Sequence, residues 1–195
     1  DRGVSLLIDI ENSIKAAQSR GYEQWAKIHN LKQAAKTYNF LTTHGIEQYG
    51  DLTAKIAEVQ AASVQATEAL KDVEARLSDM AVLIKNITTY QKTKPAYDAY
   101  RKAKDRGSYR AAHERNIILH EAAAKAIKGA GISKLPDIAA LQTEYAKLQE
   151  RKEALYADYG KLKKQVKEYD VIKRNIDSIL RQPREPEQEK GKERE

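Results

Sequence analysis

Four histidines, His29, His44, His113 and His120, are the side chains that could titrate near neutrality without perturbation. A zinc protease places two histidines four residues apart around a glutamate, because those positions share a helix face. Here His113-Glu114 is followed by Arg115, Asn116 and Ile117, so that motif fails. His113 and His120 are seven apart and can face one way, but two histidines without neighbouring carboxylate ligands make a poor metal site. Ordinary helix-surface positions are the expectation for them. Cysteine is absent, which excludes disulfides, a thiol nucleophile and cysteine-ligated metal. Gly129-Ala130-Gly131 lacks the lysine and preceding strand of a phosphate loop, and no serine-histidine-acid arrangement can be identified. The abundant carboxylates are expected to be solvated or paired at i,i+4 on charged helices. These residues specify no active site, no metal and no cofactor.

The tyrosines and cations are more suggestive. Tyr145, Tyr159 and Tyr169 fall on a heptad seam, where amphipathic core filling outweighs catalysis. Tyr90, Tyr97, Tyr100 and Tyr109 are instead interleaved with the most basic stretch. Residues 91–110 carry seven cations against two carboxylates, a net +5, while 51–90 and 136–160 are each −2 and 161–174 is +4. Cations supply phosphate contacts and aromatic rings can stack on unpaired bases. The candidate nucleic-acid-binding residues are therefore Lys92, Lys94, Tyr97, Tyr100, Arg101, Lys102, Lys104, Arg106 and Arg110. The plainer alternative is a tyrosine cluster closing a helical tip, with solvated lysines around it. The overall charge of +7 and pI near 9.3 favour an acidic partner, although lysine-rich helices are often merely soluble.

The elements that must position these residues are helices. The 195 residues include only one phenylalanine, one tryptophan and nine glycines, with 32% charged residues and a mean hydropathy of −0.73. Alanine, lysine, glutamate, glutamine and leucine dominate, the composition of long helices with narrow apolar seams. An elongated molecule is expected. A first helix is predicted over 4–20, with Leu7, Ile10, Ile14 and Ala17 on one stripe. A second is predicted over 22–43, using Trp25, Ile28, Leu31, Ala35, Tyr38 and Leu41 and closed by His44-Gly45.

Asp51 can cap a third helix, whose Leu52, Ile56, Val59, Ser63, Ala66, Leu70, Val73, Leu77, Met80, Ile84 and Ile87 alternate steps of four and three. Pro95 is expected to kink or interrupt it. Ser108 is a plausible N-cap for a helix reaching Lys128, buried through Ile117, Ile118, Ala122, Ala126 and Ile127 and ended by Gly129-Ala130-Gly131. Pro136 suits a first-turn position and Asp137 the positive start of a last helix. That helix repeats the heptad through Leu141, Tyr145, Leu148, Lys152, Leu155, Tyr159, Leu162, Val166, Tyr169, Lys173, Ile176 and Leu180.

The expected fold is all-α: an elongated antiparallel coiled-coil hairpin of two long helices with shorter packed helices. Its predicted parts are a helical hairpin over 1–50, the long hairpin over 51–182 with a helical tip near 91–135, and a disordered tail over 183–195. No apolar run approaches a membrane span and no signal peptide is apparent, so no membrane insertion and a cytoplasmic setting are expected. The start at Asp1, without methionine, reads as a piece of a longer protein.

Several segments carry a family resemblance. They are Gly21-Tyr22-Glu23-Gln24-Trp25-Ala26-Lys27 with Asn30-Leu31-Lys32-Gln33, then Tyr97-Asp98-Ala99-Tyr100-Arg101-Lys102. Ile118-Leu119-His120-Glu121-Ala122-Ala123, Lys134-Leu135-Pro136 and the run 145–179 complete the set. Together they resemble the C-terminal helical region of relaxase/mobilisation nucleases of Gram-positive conjugative plasmids and integrative conjugative elements, over nearly the whole chain. In that family an N-terminal domain nicks one DNA strand through a tyrosine, with a metal held by a histidine cluster polarising the phosphate. No His-hydrophobe-His motif occurs here, so no catalytic residue carries over. The resemblance implies a non-catalytic part of a cytoplasmic DNA-processing protein. Two roles remain open: a DNA-binding accessory module acting through the basic tip, or a spacer coiled coil that docks on other conjugation proteins or self-associates.

Overall fold

A computed structural model describes residues 5–19 and 31–180. They form six helices, with no strand among the described residues: α1 Leu6–Ser19, α2 Leu31–Thr43, α3 Tyr49–Lys102, α4 Arg106–Ala112, α5 Glu114–Gly129 and α6 Ile138–Leu180. The chain is all-α. The expected helix start at 22, with Trp25, Ile28 and His29, and the expected tail over 183–195 lie outside the described residues, as does the side chain of Ala17. No helix among the described residues is long and apolar enough to cross a membrane. The described residues form two compact units, one holding those up to Val64 and from Gly160 on, the other Gln65–Tyr159.

In the first unit, α1 and α2 join the start of α3 and the end of α6. The two long helices run antiparallel there: the Tyr49 hydroxyl donates to Asp177 at 2.8 Å, while Ala62 and Leu162 line one groove. The expected seam residues Leu52, Val59, Tyr169 and Ile176 are buried together with Leu6, Ile10, Leu41 and Ile46. α6 also buries Ile172 and Ile179, a second row that a two-helix heptad does not require. The reason is α2, which touches this side of α6 through Phe40 edge-on to Tyr169 and Asn175 donating to the Thr37 hydroxyl. Leu180, predicted on the seam, is exposed. Lys173 occupies its seam position half-buried, donating to Asp177 at 3.1 Å. On α2 the buried stripe is Ala34, Thr37 and Leu41, not Ala35, which is exposed.

Local chemistry sets the ends of these helices. Gly45, at φ +64°, lets its N–H reach the Thr42 carbonyl and the Ile46 N–H reach the Leu41 carbonyl, so two otherwise orphaned acceptors are satisfied. Ile46 and Leu41 are both buried, the apolar contact that accompanies such a cap. Asp51 does not occupy the cap position predicted for it. α3 starts at Tyr49, and Asp51 in its first turn reaches back to accept from the Gln48 N–H at 3.2 Å.

In the second unit, Val73 and Leu77 of α3 pack with Leu148 of α6, flanked by Met80, Tyr145 and Leu155. Arg76 pairs with Glu144 at 3.4 Å and Lys152 with Glu74 at 3.7 Å, so the helices are antiparallel here too. Lys152 thus meets a carboxylate at the seam position where an apolar residue was missing. Of the kink or interruption expected at Pro95, the interruption does not occur: α3 continues through it to Lys102. Pro95 and Gln91 are both exposed, so the Gln91 carbonyl that loses its amide donor is open to water.

The expected single helix from Ser108 to Lys128 is two helices. Asp105, not Ser108, is the N-cap of α4; its carboxylate accepts from the Ser108 N–H at 3.1 Å and hydroxyl at 2.7 Å. Those hydrogen bonds hold the Asp105 carboxyl below its usual range. His113, at φ −126° and ψ 25°, ends α4 and begins α5. Gly131, at φ +75°, closes α5 as Gly45 closes α2, with Gly131 N–H to Lys128 O and Ile132 N–H to Ile127 O. Pro136 lies before α6 instead of in its first turn, and Asp137 caps it by accepting from the Ala139 N–H.

Candidate nucleic-acid interface

The interleaved tyrosines and cations lie on the last turns of α3, on α4 and in the link between them. Beyond the buried Ile87, α3 carries Tyr90, Thr93, Tyr97 and Tyr100 at steps of three, four and three, so they share one face. That face meets α5. The α5 face buries Ile117, His120, Ala123 and Ile127, whereas Ile118, Ala122 and Ala126, expected on the buried side, are exposed.

His120 sits at the centre of this contact. Its ring stacks between Tyr90 and Tyr97, each centroid 4.4 Å away, with interplanar angles of 29° and 22°. Its Nδ1 lies 3.0 Å from the Thr93 hydroxyl oxygen. Thr93 donates its own proton to the Thr89 carbonyl at 2.7 Å, so its oxygen is the acceptor and Nδ1 carries the hydrogen. Burial pushes the imidazole below its ordinary value, opposed by a hydrogen bond to the Tyr90 backbone and by the Asp98 and Glu121 carboxylates. The surface role expected for His120 is therefore incorrect: it is 3% exposed. Its spacing with Ile117 and Ala123 was the available signal, since three-residue steps place it on the apolar stripe. His113 is exposed and stacks on Tyr109 at 4.3 Å. No group of three or more metal-competent side chains forms among the described residues.

All four tip tyrosines have a ring partner. Tyr90 and Tyr97 clasp His120, Tyr109 faces His113, and Tyr100 lies under the Arg110 guanidinium at 5.8 Å and near Tyr97 at 6.0 Å. Tyr97 and Tyr100 are half-buried, with faces already engaged. They hold helices together more directly than they offer platforms to a base.

The cations divide into two groups. Lys94 donates to Asp98 at 2.7 Å, which raises the lysine pKa and lowers that of Asp98. Arg110 donates to Glu121 at 3.1 Å, and its pKa is raised by that bond first and by Tyr100 second. Arg106 donates to the Arg101 carbonyl at 3.1 Å, closing the end of α3. Lys92, Arg101, Lys102 and Lys104 are exposed and enter no ion pair among the described residues. Arg101 and Lys102 also complement the negative end of the α3 dipole, a structural role that needs no ligand. Lys102 also acts on the Asp98 carboxylate, so the arrangement offers exposed point charges that are partly offset by a neighbouring acid.

No protein family, no curated protein and no solved structure matches the chain.

Proposed function

We propose that this chain is a non-catalytic helical module that contacts DNA through the basic tip of α3, acting as the C-terminal region of a cytoplasmic conjugative relaxase during transfer-origin processing. The observation that carries the DNA reading is the group of exposed cations Lys92, Arg101, Lys102 and Lys104, none in a salt bridge among the described residues, in a stretch of net +5. The relaxase setting rests on the sequence resemblance alone. Because the neighbouring tyrosines are engaged, contact runs through phosphates, independent of sequence. The test is a fluorescence-anisotropy titration with labelled single- and double-stranded DNA between about 50 and 200 mM salt. Four phosphate contacts give a log–log salt slope of about −3 to −4. Absence of binding at the lower salt would exclude the reading.

A second reading, protein docking on conjugation proteins or self-association, has an observation of its own. Met80, Val82 and Leu83 of α3 and Ala126 and Ile132 beyond them line an open groove of about 580 Å³, and Val82 is 56% exposed. A mass that rises with concentration in sedimentation would favour this reading.

A further inference from the structure

The expectation of a basic block over 161–174 plays no part in the tip, because these residues belong to the first unit. α6 is covered on two sides there. Its α3-facing seam takes Leu162, Val166, Tyr169, Lys173 and Ile176, and its second row, Ile172 and Ile179, joins the core completed by α1 and α2. Lys164, Lys167, Val171, Arg174 and Ser178 follow steps of three and four and are all exposed. They form the remaining stripe, with the half-buried Asp170 at its edge, three residues after Lys167 and four before Arg174. Two other acids are directed elsewhere: Glu168 lines a groove with Lys55 and His44, and Asp177 holds Lys173 and Tyr49. Lys164, Lys167 and Arg174 enter no ion pair among the described residues, although opposite charges at i,i+4 would stabilise the helix.

We infer that this outward stripe of α6, Lys164–Lys167–Arg174, is a second contact surface for a linear polyphosphate, the backbone of a nucleic acid. The three cations are spread over roughly 15 Å of helix, a length over which several phosphates of a duplex or single strand are presented. A row of point charges without aromatic or amide side chains suits a repeating backbone and reads no bases. An anionic membrane is the poorer fit, because the stripe offers one apolar side chain, Val171, for insertion. The inference stands apart from the tip: it concerns different helical turns in a different unit.

The test uses the whole chain in three forms: Lys164/Lys167/Arg174→Gln, Lys92/Arg101/Lys102/Lys104→Gln, and both sets combined. Circular dichroism verifies that each keeps its helix content. Each is titrated with a labelled duplex and a labelled single strand, and with vesicles of phosphatidylcholine and phosphatidylserine. The α6 form is expected to bind DNA more weakly, with a salt slope shallower by about 2 to 3. The tip form retains residual binding that the combined form loses. An α6 form with wild-type affinity and slope overturns this inference and leaves the tip reading intact. A tip form with wild-type affinity beside a weakened α6 form overturns the tip reading alone. Binding to the vesicles but not to DNA, or to neither, overturns both.

Discussion

The Thr93 hydroxyl accepts from His120 Nδ1 at 3.0 Å while donating to Thr89, and this pair is the polar pin between α3 and α5. Thr93 and His120 are 5% and 3% exposed, so neither can exchange its partner for water. Two tyrosine rings close over the imidazole and complete the enclosure.

Thr93→Val keeps the volume but removes the hydroxyl that accepts from Nδ1, leaving the Tyr90 backbone as the imidazole's remaining partner. Loss of one buried hydrogen bond costs about 0.5–1.5 kcal/mol, and urea denaturation should read a loss in that range. A change below about 0.5 kcal/mol would mean the hydrogen bond is not made in solution.

The same enclosure predicts a pH dependence. Burial lowers the folded-state pKa of His120 below the ordinary value of about 6.5. Between the folded value and 6.5 the unfolded chain binds more protons, so stability rises with pH through that window. The contribution is complete above about 6.5 and is lost as the pH falls below it. Wild type should therefore lose its advantage over His120→Leu on acidification, and ¹⁵N-detected titration should place His120 below the ordinary value. A gap between the two proteins that does not change with pH would contradict this.

Gly45 holds φ +64° with open space around its Cα, so the cost of a side chain there is conformational and not steric. Gly45→Ala is expected to destabilise by about 1 kcal/mol, read by denaturant or thermal melting. Gly50→Ala is the control: that residue lies inside α3 with equally open surroundings, and alanine there should be neutral or stabilising.

Ile176 and Leu180 are successive predicted seam positions with opposite environments, fully buried against 40% exposed. Ile176→Ala should cost about 2–5 kcal/mol, and Leu180→Ala about 0.5 kcal/mol or less. Comparable losses at the two sites would show that α6 turns the other face to its partners.

That contrast marks what a sequence can tell about this fold. The α3 seam was legible because one narrow stripe, Leu52 to Ile87, faces inward along its length, and every position expected there is buried or half-buried. On α6 the same rule missed Ile172 and Ile179, because heptad spacing describes one partner and α6 has α2 as another. Lys152 looked like a flaw until Glu74 was seen beside it, a cross-helix partner that leaves no local trace, whereas Lys173 has its acid, Asp177, four residues on in the same helix. Gly45 and Gly131 were readable as stops because positive φ selects glycine. The break at His113 had no such residue to announce it. At the tip, the sequence pointed to the right segment and left its tyrosines open between base stacking and a closing cluster; the α5 stripe that engages them required His120 to be counted as an apolar-face residue.

In the proposed function, the exposed cations of the α3 tip contact DNA phosphates. The most direct measurement is anisotropy with labelled DNA for wild type and Lys92/Arg101/Lys102/Lys104→Glu, each at about 50 and 200 mM salt. Wild type should bind with strong salt dependence, while the variant keeps its helical signal and loses most of its affinity and about 3 to 4 units of salt slope. Equal binding and equal slopes for the two proteins would contradict the account.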